Sequence, residues 1–450
     1  MQNTAVKIVK KLKEKGFRAF FAGGCVRDLI LKKNPQDFDI ATDAQPEEIE
    51  AIFVKTYPIG KAFGVILIEE DGHNFEVATF RSDSGASDGR RPNFITFSSP
   101  QEDAFRRDFT INGIFYDPLI KEFYDFVDGR RDLKRGLLRF IGDAEERIEE
   151  DFLRILRAVR FKNRFKLDYC DKTRKALEKH ASLVTHVSAE RVTEELNKIL
   201  VHHSRVKAIQ DLSDLGILIK ILPEVEKQKE VPQPKDFHIE GDVFHHMLLV
   251  LKALGENESQ ELYWSAFLHD IGKAETLSFA GDRIHFHHHQ EEGTVLVQKI
   301  SERLKFSRKK TKKIMWLVKN HHLFDQFSKM KMSTKLIYFD HPFFSDLMKL
   351  HRADILGCQT KDSKNREKAL LELTLIEENF RYAHSERILP SHKKDFFSGK
   401  EIMELLNIPA GPELGAIKDA LREQQLEDVI KTKEEAKVFL KTFLKENISN

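Results

Sequence analysis

Cysteine is scarce in this chain. Its 450 residues hold only Cys25, Cys170 and Cys358, odd in number, far apart and without a C-x-x-C pair. They supply neither a disulfide framework nor a zinc finger, and the cytoplasm is the expected compartment. Long apolar runs are missing too: nothing approaches the roughly twenty residues that span a bilayer, so no membrane is expected. Met1 to Lys15 form a basic amphipathic stretch without the apolar core of an export signal. Charge of one sign is not in excess, since 74 Lys and Arg face 72 Asp and Glu, for a net charge of +2. Affinity for nucleic acid must therefore come from local patches. There is no internal repeat and no low-complexity tract.

What is present is a 41% hydrophobic, 32% charged composition, that of a globular chain long enough for two to four domains. Phe17 to Phe21 reads as a strand, Gly23-Gly24 as a tight turn and Val26 to Leu31 as a helix start. Glycines at such a turn let backbone N–H groups approach phosphate oxygens, and Arg27 adds a charge-assisted fork. No Gly-Lys-Ser/Thr follows, so this is not a P-loop, nor is it G-x-G-x-x-G. Asp37 and Asp39 follow in Asp37-Phe38-Asp39-Ile40-Ala41-Thr42. Two apart on a strand, they share one face and suit a hard cation such as Mg²⁺. Glu76, in the strand Phe75 to Phe80, is a candidate third carboxylate. Val65 to Ile68 and Phe94 to Phe97 read as further strands.

Around Arg106-Arg107-Asp108-Phe109-Thr110-Ile111-Asn112, two arginines adjoin a short acid and an amide. Arginine neutralises triphosphate charge bidentately, and Asp108 could accept a ribose hydroxyl. From about 144 the pattern becomes helical, with Ile148, Phe152, Ile155, Leu156 and Val159 on one apolar stripe. Asp151 and Arg154 stand one turn apart on its flank. An acceptor beside a donor fork can read the amino and ring-nitrogen edge that cytosine and adenine share. Guanine and uracil present a carbonyl where that amino group would be. Arg157 and Arg160 continue the row.

These segments, together with Ser188-Ala189-Glu190-Arg191, closely resemble bacterial class II tRNA nucleotidyltransferases and the related poly(A) polymerases. The resemblance implies an α+β fold. A polymerase-β-like nucleotidyltransferase head with a small mixed sheet would occupy 1–126, and an all-α neck 127–225, with base-recognition and RNA-binding helices. A linker at 226–237, an HD domain at 238–357 and a helical tail at 358–450 would follow. It further implies that Gly23, Gly24 and Arg27 bind triphosphate and that Asp37 and Asp39 hold Mg²⁺. Arg107, Asp108, Asn112, Arg157 and Arg160 would contact the nucleotide. Asp151 and Arg154 would replace a nucleic-acid template. The expected partners are the tRNA 3′ end, CTP and ATP, with no obligate protein partner. The stretch Arg81 to Pro92 matches a flexible loop that CC-adding relatives lack; A-adding and poly(A)-adding alternatives stay open.

Residues 238–357 are dense in histidine, with Phe267-Leu268-His269-Asp270-Ile271-Gly272-Lys273 at the centre. The pattern resembles HD phosphohydrolases. By that resemblance His246, His269, Asp270 and Asp354 are ligands of one metal, with His289 and His321 serving a second. Imidazoles mixed with carboxylates favour a transition metal (Mn, Fe, Co or Ni) over Ca. An RNA-docking head attached to an HD phosphohydrolase is the competing reading. The basic run Lys309, Lys310, Lys312 and Lys313 is a candidate RNA contact.

Overall fold

The computed structural model describes residues 1–84, 94–234, 241–281, 283–359, 363–392 and 394–447. Most of the expected loop at 81–92, residue His238 and the end of the expected linker lie outside them. The chain divides into two compact units, Met1–Glu226 with Arg303–Lys305, and Lys227–Glu302 with Phe306–Asn450.

The first unit opens with α1 (Gln2–Glu14), which buries Thr4, Ala5, Ile8, Val9 and Leu12 at helical spacing. Then come β1 (Ala19–Ala22), α2 (Gly24–Ile30), β2 (Asp39–Thr42), α3 (Pro46–Ile52), β3 (Thr56–Tyr57), β4 (Val65–Glu70) and β5 (His73–Thr79). A small hairpin, β6 (Arg81–Ser84) and β7 (Phe94–Phe97), precedes α4 (Pro100–Phe105), β8 (Ile114–Asp117) and β9 (Glu122–Asp125). The main sheet runs β3-β4-β5-β2-β1-β8-β9. It is mixed: β2 and β5 are parallel and the other neighbours antiparallel. Phe20, Ala22, Ala41, Phe80, Ala104 and Phe115 form a core on one face. α4 starts sharply because Ser99 and Glu102 form a capping box, with Pro100 in the first turn.

The helical part of this unit runs α5 (Gly129–Arg135), β10 (Leu137–Leu138), α6 (Ala144–Glu150), α7 (Arg154–Phe165), β11 (Asp168–Tyr169), α8 (Asp171–His180), α9 (Ala189–Leu200), α10 (Arg205–Asp214), α11 (Leu218–Ile221) and α12 (Pro223–Glu226). The single helix expected through 148–159 is instead two. Asp151, at φ −154° and ψ 103°, is extended and ends α6. The stripe survives the break: Ile148, Ile155, Leu156 and Val159 are fully buried.

The second unit contains α13 (Val243–Ala253), α14 (Gln260–Leu268), α15 (Lys273–Thr276), the hairpin β12 (Leu277–Ala280) and β13 (Arg283–Phe286), α16 (His289–Arg303), α17 (Arg308–Asn320), α18 (Phe324–Phe327), α19 (Met332–Phe339) and α20 (Phe344–Gly357). α14 buries Tyr263, Trp264 and Phe267 completely, so it is the central helix, hydrophobic all round. α21 (Ser363–Ser385), α22 (Gly399–Leu406), α23 (Pro412–Leu426) and α24 (Lys433–Asn447) follow. The last three close a small core of Ile402, Leu406, Ile417, Leu421, Ala436 and Leu440. No helix among the described residues is long and apolar enough to cross a membrane.

Candidate active site

A cavity of about 580 Å³ in the first unit is lined by nearly every head and neck residue singled out above. Gly23, Gly24, Arg27, Asp37, Asp39, Arg107, Asp108 and Asn112 come from the sheet side; Asp151, Arg154, Arg157 and Arg160 come from the helices. Glu76 is not in the lining. Arg106, one of the two adjoining arginines read as suited to triphosphate, is in it, as are Phe161 and Arg164, for which no role was expected. Arg164 stands four residues, about one helical turn, beyond Arg160, a signal that was there to be used.

Gly23 joins β1 to α2 at φ +68°, a left-handed conformation that favours glycine. A Cβ there would sit 3.2 Å from Arg107 Nη1 and 3.7 Å from Asp39 Oδ2. The turn therefore packs directly under both. Asp39 is the first residue of β2, whereas Asp37 lies just before the strand. β2 runs parallel beside β5, with Ile40 opposite Val77, which brings Glu76 to the same strand ends. Loss of water, then Glu76 and Asp37, raise the Asp39 carboxyl to about 6, with Arg107 opposing them. A carboxyl that resists ionisation beside two others is what a cation relieves, and an all-oxygen set suits Mg²⁺.

Arg27 is buried, with its guanidinium 4.0 Å from the Phe165 ring centroid. It donates to Asn112 Oδ1 at 2.7 Å, and Asn112 Nδ2 donates to Asp108 Oδ1 at 3.0 Å. Asp108 Oδ2 accepts from Arg157 Nε and Nη2 at 2.9 and 2.6 Å, and Oδ1 also accepts from the Phe109 N–H at 2.8 Å. Burial works against the Asp108 anion, but Arg157 and these donors outweigh it and hold the carboxyl below its usual range. Four donors occupy the roughly four acceptor positions of a carboxylate. Asp108 is thus engaged by Arg157, Asn112 and the backbone and holds Arg157 in place; a ribose hydroxyl would share that acceptor set.

The Asp151–Arg154 pair is corrected. Because the helix breaks between them, Asp151 turns to Arg191 on α9, which donates from both Nη atoms at 3.0 and 2.8 Å. Arg154 donates to Glu150 at 2.6 Å and to the Arg147 carbonyl at 2.7 Å. Both side chains still face the cavity, but each is oriented by its own partner. Arg107 is held by Asp103 at 2.9 Å and Arg160 by Glu195 at 2.6 Å.

The second unit gathers the expected histidines. Asp270 is central: His269 Nε2 lies 3.2 Å from its Oδ2, and His321 and His289 Nε2 lie 3.4 and 3.5 Å from its Oδ1. His246 Nε2 is 3.1 Å from Asp354 and 3.6 Å from Asp270. Three imidazoles are aimed the same way. His269, His289 and His321 each donate Nδ1–H to the carbonyl three residues earlier, at 3.0, 2.9 and 2.7 Å. A carbonyl only accepts, so Nδ1 carries the proton and Nε2 turns its lone pair inward, as in metal-binding histidines. His269 Nε2 and Asp270 Oδ1 are buried without a hydrogen-bond partner. Burial, then His322, push His321 down to about 3, so it is neutral, as ligation requires. The residues present fit a metal. The doublets resolve too, with His246 rather than His245 inward and His322 joining Asp270, His289 and His321 as a potential ligand.

The basic run on α17 does not form one face. Lys310 is buried, 4.2 Å from the Phe306 ring centroid and 5.5 Å from Trp264, and burial lowers it to about 8. Lys313 pairs with Asp346 at 2.5 Å. Of the four candidate RNA contacts, Lys309 and Lys312 are the two whose side chains are exposed and Lys310 is the buried one.

By class, the chain carries three domains in order. Family models match it as the poly A polymerase head domain over residues 19–139, the probable RNA and SrmB-binding site of polymerase A over 168–229, and the HD domain over 243–341. The resemblance drawn from the motifs is matched among individual proteins. The CCA-adding enzyme of Bacillus licheniformis is 40% identical over 227 residues, 50% of this chain and 57% of that protein. That of Geobacillus stearothermophilus is 38% identical over 231 residues, 50% and 56% of the two chains. The chain thus spans little more than half the length of the curated relatives it matches. Among solved structures, the Bacillus stearothermophilus CCA-adding enzyme in complex with CTP is similar at a TM-score of 0.72 and 24% identity, covering 100% of this chain and 98% of that one. A Thermotoga maritima CCA-adding enzyme complexed with tRNA reaches 0.59 at 18% identity, covering 98% and 95%. These likenesses show the fold: a polymerase-type head with a small mixed sheet, a helical neck and an HD domain.

Lys310→Met should raise the melting temperature of the full chain at pH 7. A lysine whose folded pKa is lowered leaves the unfolded chain binding more protons between about 8 and 10.5, so stability rises with pH across that window. The advantage of the methionine should shrink over the same range, as thermal denaturation at stepped pH would read. Gly272 allows a close approach of backbones, since a Cβ there would meet the His289 carbonyl oxygen at 2.1 Å. Gly272→Ala should cost about 1–3 kcal/mol and displace His289, seen as a lower thermal transition and less retained metal after dialysis.

Proposed function

We propose that this protein is a template-independent RNA nucleotidyltransferase that adds or repairs the 3′-terminal CCA of tRNA from CTP and ATP. One observation carries the reading: a single cavity joins crowded carboxylates, a row of arginines and a donor–acceptor set able to read a base edge. Arg27, Arg107, Arg157 and Arg160 would neutralise the triphosphate, each fixed in advance by a protein partner. Fixed donors need no reorganisation as charge moves during transfer. Asp37 and Asp39 would hold Mg²⁺, with Glu76 beside them, and the ion when bound would supply Lewis-acid stabilisation of the transferred α-phosphate. The tRNA 3′-hydroxyl attacks in line and pyrophosphate leaves. Asp151 would accept from the amino group of C or A, and Arg154 would donate to the neighbouring ring nitrogen. The cytoplasm is the matching compartment.

A second reading concerns the HD unit and rests on its inward-facing Nε2 atoms and the orphaned Asp270 Oδ1. His246, His269, Asp270 and Asp354 would hold a transition metal such as Mn, Co, Ni or Fe, with His289 and His321 toward a second. The unit would act as a phosphohydrolase.

Transcripts ending before C74, after C75 and complete, given CTP and ATP separately, should extend to the CCA end and stop. Addition of A alone, or of a long A tail, would assign the protein to the A-adding or poly(A) class. Asp37→Ala with Asp39→Ala should lower incorporation at least a thousandfold while leaving hydrolysis of model phosphoesters intact. His269→Ala with Asp270→Ala should do the reverse; head variants that retain incorporation would sink the transferase reading. Asp151→Ala should blur the choice of C and A over G and U more than it weakens triphosphate binding, read from misincorporation ratios. Lys309→Glu with Lys312→Glu should weaken tRNA binding most at low salt, whereas Lys310→Met should leave it unchanged.

A further inference from the structure

A cavity of about 770 Å³ lies between α18, α19, α20 and α21 in the second unit. This is a volume suited to a small organic ligand. It touches the imidazole cluster through His322, which lines it and also stands within 4.8 Å, ligand atom to ligand atom, of Asp270, His289 and His321. A second link runs through Arg366, which lines the cavity and donates to the Cys358 carbonyl, while Cys358 Sγ groups with His246 and Asp354. The polar end is therefore the cluster end. There, the Arg366 Nε donor and His351 Nδ1, a donor or an acceptor by tautomer, are buried without a hydrogen-bond partner among the described residues. Buried polar groups left without a partner are rare in native folds and call for an explanation. Two carboxylates also line the space, but Asp325 accepts from His322 at 2.7 Å and Glu372 lies 4.0 Å from Lys368. Elsewhere Phe324, Phe327, Met332, Phe339 and Leu373 form an apolar wall, interrupted by Ser328, Lys335, Asn365 and Asn379. The Phe324 ring is stacked on His351, centroids 4.7 Å apart, so a flat aromatic surface borders the open polar groups.

We propose that this cavity binds a phosphate monoester carrying a flat aromatic group, of aryl or nucleoside size. Arg366 and His351 meet the phosphate oxygens, and the phenylalanine wall takes the ring. A bare phosphate would leave the apolar wall wet, and an apolar molecule would leave the two polar groups unmatched. As a substrate pocket, the site rests on reading the adjoining cluster as a phosphohydrolase; as a binding site it does not.

The test is calorimetric titration of the full chain, stripped of metal with a chelator, using phenyl phosphate, inorganic phosphate and phenol. Phenyl phosphate should bind at least tenfold more tightly than either fragment. Ala369→Trp, which fills the cavity from α21, and Arg366→Gln should each weaken it at least tenfold with unchanged circular dichroism. If the tryptophan variant misfolds, Ala369→Leu and Arg366→Gln decide. With Mn²⁺ added, these variants should raise KM for phenyl phosphate hydrolysis and leave kcat within about twofold. Wild-type affinity in the folded variants, or equal binding of phosphate alone, would overturn the proposal. Absence of hydrolysis with every metal, alongside binding that the variants abolish, would uphold the cavity and discard the hydrolase reading. AMP in place of phenyl phosphate separates a nucleoside from a simple aryl ester: loss of its binding in Ala369→Trp favours the former.

Discussion

Seven arginines facing one cavity repel one another, and the first unit is arranged around that fact. Carboxylates answer them: Asp103 for Arg106 and Arg107, Glu150 for Arg154, Asp108 for Arg157 and Glu195 for Arg160. Arg27 follows the same rule with Asp28. Buried ion pairs contribute little net stability, because desolvation offsets their attraction. Their value here is geometric. A guanidinium held at two or more of its N–H groups keeps its remaining donors aimed at one place, so a polyanion meets a finished cradle rather than mobile side chains.

That arrangement also explains which parts of the site were legible in the sequence. Short-range signals were reliable. Gly23-Gly24, Asp37-x-Asp39, the 106–112 segment and the Arg154-Arg157-Arg160 spacing all arrive in one cavity. The paired strand registers of the head follow from runs such as Phe75 to Phe80, and Pro409 to Pro412 falls where α22 has ended and α23 begins. What sequence could not show was who holds whom. Asp151 leaves helical geometry for a carboxylate bridge to Arg191, forty residues away. No local propensity marks that position, since neither glycine nor proline is near. Lys310 is likewise drawn inward by Trp264 and Phe306, contacts that a run of lysines read as surface cannot announce.

The histidine cluster differs in kind from the head site. There a hard, all-carboxylate set sits at strand ends, and its charges are partly neutralised by arginine. In the second unit the carboxylates are outnumbered by neutral imidazoles and buried. Lys273 Nζ, 2.7 Å from Asp270 Oδ2, is itself buried. Two donor sets of opposite hardness on one chain suit different cations.

The doubled histidines show how backbone geometry decides what composition leaves open. At 245–246, 287–289 and 321–322 either neighbour has the right chemistry, but successive residues, on helix α13 or in the turns at 287–288 and 321–322, point in different directions. His289 and His321 each reach a carbonyl three residues back with Nδ1, which is available only to a ring folded along its own backbone. His322 cannot share that anchor, and its Nδ1 goes to Asp325 instead. One member of the pair thereby points inward to Asp270. The other lines the cavity beside the cluster while staying within ligand distance of Asp270.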